Sequence, residues 1–282
     1  MLSIQRSLLL AATLFAVPAF LHADNQSKII SRMQGLRSLN ATQRPSATVE
    51  LATDIRALPP GIDKVKLADS LAHLVTEGDQ GQDTIQAVAD ALRQSLSESP
   101  VPAKKGEPPM PYMDLANLVR YEHASADLSD PLYTQAMQTL VDDDAQIEKS
   151  DFTLNDLHGK KYTLSELRGK IVMVNFWATW CGPCRLEMPS LDALYTRFQD
   201  QGLVVLSITN EQGFKVSSFL GASNYHPPVL LDMDGSVFKK FHIEGIPRTF
   251  IFNRDGKLVG ETIDQTSWRQ FLQMLSKTDL HP

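Results

Sequence analysis

The sequence predicts an α/β fold, a mixed sheet with helices on both faces, preceded by an all-α helical region. Three observations carry this expectation. From Asp151 onward, short β-type runs alternate with amphipathic helical ones, and the chain closes on a hairpin pattern. Residues 24–148 instead place apolar side chains at helical spacing throughout. Residues 171–177 form a nearly continuous apolar run, as expected of a strand buried on both faces.

The chain has 282 residues, enough for two units with real cores. Hydrophobic residues make up 43% and charged residues 21%, the balance of an ordinary globular protein. Net charge is −6 and no basic block is present, which excludes nucleic acid as a partner. The first residues read as an export signal. Arg6 supplies the positive end, residues 8–20 the apolar stretch, and Leu21-His22-Ala23 a small-residue cleavage site, with the cut expected after Ala23. The apolar run is short for a membrane span and is interrupted by Pro18. No cysteine stands near the cut, so a lipid-modified start is not expected. The predicted organisation is therefore a signal peptide over 1–23, a helical domain over 24–148 and an α/β domain over 149–282. The mature chain is expected in the periplasm or secreted.

Taken in order, Ile29, Ile30, Met33, Leu36 and Leu39 begin the helical pattern. Val65, Leu71, Leu74 and Val75 continue it, as do Ile85, Val88, Ala89, Leu92 and Leu96. Pro59-Pro60-Gly61 separates two of these helices. Residues 99–111 contain five prolines and read as an exposed loop. Leu115, Leu118 and Val119 give a short helix, and residues 132–147 a last one. This half carries no visible chemistry: His73 and His123 stand without a second ligand at helical spacing, and residues 142–144 read as a solvated acidic face. Beyond it, residues 152–154 and 161–164 predict two short strands around a His158-Gly159-Lys160 turn, followed by a helical turn that Gly169 stops. Strands are expected over 171–177, 203–209 and 229–231. The intervening helices are 185–199, with Leu186, Leu191, Leu194, Tyr195 and Phe198 facing inward, then 214–220 and a turn at 235–241. Residues 248–253 and 257–263 predict a hairpin around Arg254-Asp255-Gly256, and 268–275 a closing helix.

The strand at 171–177 leads directly into Cys181-Gly182-Pro183-Cys184, the only two cysteines in the chain. Two cysteines at i and i+3 on a helix's first turn lie on one face, close enough to be bridged. Unpaired N–H groups and the helix dipole favour negative charge at Cys181, which makes it the expected exposed thiolate nucleophile. Cys184, one turn deeper, is placed to resolve a mixed disulfide. Pro183 suits a first helical turn, where its missing N–H costs nothing. Gly182 leaves the approach to Cys181 open. A bridge over two intervening residues constrains the unfolded chain very little, so a purely structural staple is disfavoured. A zinc site lacks two further ligands at finger spacing, and Arg185 stands where haem attachment needs histidine.

With these residues on the page, the stretch Trp177-Ala178-Thr179-Trp180-Cys181-Gly182-Pro183-Cys184 resembles the thioredoxin active site. The wider pattern from Asp151 to the C-terminus resembles the TlpA/ResA-type extracytoplasmic thiol–disulfide oxidoreductases. The resemblance implies a thioredoxin fold for the α/β part, with Pro189 as the proline inside the first long helix. It implies that Ile246–Pro247 is a cis bond packed against the cysteines, and that the Ile246 backbone pairs with a substrate segment. It also implies a docking role for Trp180, packing for Trp177, and an acid–base role toward Cys184 for Glu187. Thioredoxin's buried aspartate, six residues before the first cysteine, is replaced here by Asn175, which cannot titrate. Arg248 stands where many relatives carry a small polar residue.

The expected activity is thus reduction of protein disulfides, since thioredoxin with the same Gly-Pro dipeptide sits near the reducing end at roughly −270 mV. Implied partners are a disulfide-containing protein substrate and a membrane-bound thiol electron donor. Cytochrome c maturation is the implied setting, and no cofactor beyond the cysteine pair is expected. Two other readings stand beside it. One is a peroxiredoxin-type thiol peroxidase, although Ala178 occupies the position of that family's threonine three residues before the nucleophile. The other is a non-enzymatic binding module carried by the helices.

Overall fold

The computed structural model describes residues 19–221 and 223–280. The export-signal reading falls largely on residues 1–18, outside the described residues. No helix among those described is long and apolar enough to cross a membrane.

Six helices come first: α1 (Ala19–Gly35), α2 (Arg44–Arg56), α3 (Ile62–Val75), α4 (Gln82–Glu98), α5 (Met110–Arg120) and α6 (Pro131–Lys149). Their apolar stripes meet in one core that includes Leu51, Ile55, Val65, Leu71, Val88, Leu92, Tyr112 and Leu115. The loop expected over 99–111 ends earlier, because Met110 and Pro111 already belong to α5. Proline at a helix start gives up only an N–H that has no partner there. The connection from α3 to α4 needs two glycines with left-handed backbone, Gly78 at φ +79° and Gly81 at φ +82°.

A small antiparallel pair follows, β1 (Thr153–Asn155) with β2 (Lys161–Thr163), then a 3₁₀ turn at Leu164–Leu167. The main elements are β3 (Ile171–Phe176), α7 (Gly182–Phe198), β4 (Leu203–Thr209), α8 (Gly213–Leu220) and β5 (Val229–Leu231). The chain ends through α9 (Ser236–Lys240), β6 (Arg248–Phe252), β7 (Leu258–Thr262) and α10 (Trp268–Leu275). The sheet order is β5-β4-β3-β6-β7. Strand β3 pairs in parallel with β4 and antiparallel with β6, so Asn175 sits opposite Ser207 on one side and Thr249 on the other. This order and polarity are those of the thioredoxin fold that the resemblance implies.

Side chains on a strand alternate between faces, and β3 uses both. Val172, Val174 and Phe176 pack on one face with Phe241, Phe250 and Phe252. Ile171 and Met173 pack on the other with Leu191, Leu194 and Phe198 of α7 and Phe271 and Leu275 of α10. Asn175 shares the parity of the second set, and so points toward α7. Helix α6 joins both parts of the molecule: Ala136 and Leu140 lie in the helical core, while Ile147 lies in the sheet core beside Phe152 and Phe241.

Candidate active site

The site begins where β3 delivers the chain to α7. Cys181 is the N-cap residue of α7, with extended backbone, and its Sγ accepts the Cys184 N–H at 3.1 Å. The two cysteines are joined as a disulfide, with Cα atoms 5.3 Å apart. A sulfur at this position receives the partial positive charge of the helix start, which lowers a thiol pKa. The expected exposure of Cys181 is corrected: it is 4% exposed against 2% for Cys184. In this disulfide form the two sulfurs differ by position on the helix, not by accessible area. Both pack with Trp177, Ala178 and Met188, and Ile246 lies against the same cluster. The surroundings of the pair are open: Pro183 is exposed, Gly182 half-buried and Trp180 69% exposed. Leu186, expected to face inward, is instead 68% exposed on the outer side of α7. Trp177 is buried and packs against Phe219, the two rings tilted at 44° with centroids 5.8 Å apart.

The loop before Cys181 is pinned by a residue the sequence did not single out. Glu211 accepts the Thr179 N–H at 2.5 Å and the Thr179 hydroxyl at 2.9 Å, and is paired with Lys215. Burial opposes the charge on Glu211, but the bonds from Lys215 and Thr179 hold its carboxyl below the usual range.

On the other side, Ile246–Pro247 is cis, and the Ile246 carbonyl oxygen lies 3.7 Å from Cys181 Sγ. Pro247 is buried and Ile246 half-buried. The structure thus brings together Cys181, Cys184, Ile246 and Pro247, four positions that span both halves of the sheet.

Glu187 lies on the same face of α7 as Cys184, at i+3. It is 1% exposed, not a solvated helix residue. Oε1 accepts the Asn175 amide at 3.0 Å, and Oε2 accepts the Thr266 N–H at 2.8 Å. The Asn175 amide also donates to Thr249 Oγ1 at 3.0 Å, which fixes its orientation across the sheet. Burial pushes the Glu187 carboxyl up to about 8, with nearby Asp264 adding to the rise while the bonds from Thr266 and Asn175 oppose it. A carboxyl there has a proton affinity close to that of a free thiol, near 8.5.

Arg248 neither reaches the cysteines nor faces solvent. Its Nε donates to Glu261 Oε1 at 2.7 Å, and its guanidinium lies 5.8 Å from the Tyr121 ring centre on the helical side. His123 Nε2 lies 3.1 Å from Lys277 Nζ. His73 is not alone, as the sequence reading had it: Asp69, one helical turn earlier, and Asp114 from α5 bring donor atoms within 4.8 Å of one another. His73 Nε2 pairs with Asp114 Oδ2 at 3.2 Å. His226 pairs with Asp192 and His242 with Asp143, so neither is directed at the cysteine pair.

Residues 145–260 match the AhpC/TSA family. The thiol-disulfide oxidoreductase ResA of Bacillus thuringiensis subsp. konkukian (strain 97-27) is 32% identical over 131 residues, covering 46% of this chain and 76% of that protein. ResA of Bacillus subtilis (strain 168) is 37% identical over 110 residues, 39% of this chain and 62% of its own. Among solved structures, a thioredoxin-family thiol:disulfide interchange protein from Chlorobium tepidum TLS is similar at 27% identity and TM-score 0.42, over 45% of this chain and 92% of that one. StoA from Bacillus subtilis is similar at 24% identity and TM-score 0.40, over 44% and 96%.

Proposed function

The chain belongs to the ResA family of thiol-disulfide oxidoreductases, and from that premise we propose that it reduces protein disulfides outside the cytoplasm through Cys181 and Cys184. The observation that carries this reading is the disulfide-forming pair at the α7 N-terminus with a buried carboxyl, Glu187, one turn behind the second cysteine.

In the proposed exchange the reduced chain presents the Cys181 thiolate. Its sulfur attacks one sulfur of the substrate disulfide, whose S–S bond breaks, and the departing substrate thiolate takes a proton from water. A mixed disulfide joins Cys181 to the substrate. Cys184 then gives its proton to the Glu187 carboxylate and attacks Cys181 Sγ, releasing the second substrate thiolate. Two electrons have passed to the substrate, and the Cys181–Cys184 disulfide remains. A membrane-bound thiol donor returns it to the dithiol. During the mixed-disulfide stage the Ile246 backbone pairs in strand fashion with the substrate segment. Trp180, Gly182 and Pro183 form the docking rim around it, which the exposure of Trp180 and Pro183 supports. The implied setting is cytochrome c maturation, and the substrate class is a disulfide-containing protein.

The chain lacking its export signal should accelerate insulin reduction by dithiothreitol, and Cys181→Ser should abolish the acceleration. Absence of acceleration in the unsubstituted chain would sink the reading. Peroxide reduction is the second reading, favoured by the AhpC/TSA match. Ala178 places no hydroxyl three residues before Cys181, and peroxide consumption is expected at a second-order rate no better than free cysteine.

A further inference from the structure

The Thr266 N–H that reaches Glu187 belongs to the connection between β7 and α10. Thr266 is 5% exposed. On its far side this connection is held by the turn between α3 and α4, in the helical part of the chain. The Gly78 N–H donates to the Gln265 carbonyl at 3.2 Å. The Thr76 hydroxyl, which donates to the His73 carbonyl at 3.0 Å, also lies 3.4 Å from Asp264 Oδ2. Asp79 accepts from the Ser267 hydroxyl at 3.1 Å and from Arg269 in a fork, Nε to Oδ2 at 2.8 Å and Nη2 to Oδ1 at 2.6 Å. Residues 264, 265, 267 and 269 are thus all tied to residues 76–79, and Thr266 is aimed at Glu187 from between them.

The turn is itself well anchored. The Asp79 carboxylate accepts the Gly81 N–H at 3.2 Å, and Glu77 is paired with Arg37 and Arg44. The fork from Arg269 holds the Asp79 carboxyl below the usual range, so it stays charged wherever thiols titrate.

We propose that Asp79, with Gly78 and Thr76, is a positioning element for Glu187: the helical region holds the 264–267 connection so that the Thr266 N–H stays on the Glu187 carboxylate. This rests on the reading of Glu187 as the acid–base group of the exchange. Glu187 is faced by Asn175 from β3 and Thr249 from β6, by Thr266 and Asp264 from the connection before α10, and by Tyr225, with Cys184 one turn earlier on its own helix. Of these, two are held by the helical region: the Thr266 N–H, through the Asp79 ties to Ser267 and Arg269 on its C-terminal side, and Asp264, which lies against Thr76. A donor to a charged carboxylate stabilises the ionised form. Loosening the clamp therefore makes Glu187 harder to ionise and slows proton removal from Cys184 at neutral pH.

The test uses the full chain labelled with ¹³C at the glutamate side-chain carboxyl. The Glu187 resonance is assigned by its loss in Glu187→Gln and followed against pH. Asp79→Ala should move its midpoint upward by about one pH unit, the scale of one hydrogen bond to a charged group. Arg269→Gln, a change at an exposed residue that spares the fold, should move it the same way. The pH–rate profile of disulfide exchange should follow in the Asp79→Ala chain, and the same substitution in a Glu187→Gln background should add nothing. An unchanged Glu187 midpoint in Asp79→Ala or, where that chain does not fold, in Arg269→Gln overturns the positioning proposal. An unchanged pH–rate profile in Glu187→Gln overturns the acid–base reading, and with it the proposal. A rate loss of equal size in both backgrounds identifies the clamp as a structural support only and also overturns it.

Discussion

Glu187 is a carboxyl that the fold keeps out of water and then partly compensates with two donors, Asn175 and Thr266. Two donors are fewer than a free carboxylate finds in water, which is why burial wins and the proton is held up to about pH 8. Removing the ionisable carboxyl by Glu187→Gln should slow disulfide exchange at pH 8 by about a hundredfold, the low end of general acid–base contributions. It should also flatten the pH–rate profile there; stopped-flow reduction of a mixed-disulfide peptide reads both. The cysteines and the i+3 glutamate were legible because their relation is local, within one helical turn. The donors were not: they come from 12 and 79 residues away in the chain, and nothing local marks Thr266. Asn175 was noticed only as a residue unable to titrate, whereas its amide orients the one that can. Asp69 and His73 lay within reach of sequence reasoning, at i and i+4 on α3, but Asp114 is brought in by helix packing.

At the scale of elements, the α7 N-terminus is fixed from both sides, by Glu211 on the Thr179 loop and by the cis-Pro247 loop near Cys181. Glu211→Ala leaves the Thr179 N–H and hydroxyl without their acceptor. It should lower the unfolding free energy by about 1–3 kcal/mol, read from urea titrations with an unchanged slope. Elements with a strong local signal were placed well. The apolar run at 203–209 is β4, and residues 268–275 form α10 behind a Ser267–Gln270 capping box. Where tertiary packing decides, local pattern does not. Proline content hid the start of α5, and Leu186, apolar on a helix otherwise facing the sheet, lies on the side that nothing covers.

Across the whole molecule, several carboxyls hold protons in the fold that they lose on unfolding. Glu187 is raised to about 8 by burial, Glu122 to about 7 by burial with Asp264 and Asp79 nearby, and Asp69 to about 7 by burial beside Asp114. For each, the folded chain binds more protons than the unfolded chain between the ordinary carboxyl value and the raised one. The stability they contribute is complete below about pH 4.5 and is lost as pH rises through 7 to 8. The Glu187 share of this loss is at most about 5 kcal/mol. The melting temperature should therefore fall between pH 5.5 and pH 8.5, and Glu187→Gln should remove a large part of that fall. A melting temperature that rises over this interval would contradict the assignment. Helix α6 bears on the same measurement in another way. One unbroken helix inserts Leu140 into the first core and Ile147 into the second, so neither core can melt without uncovering the other's seat. The chain should give a single calorimetric peak, and a protease should find no cut that yields two stable fragments.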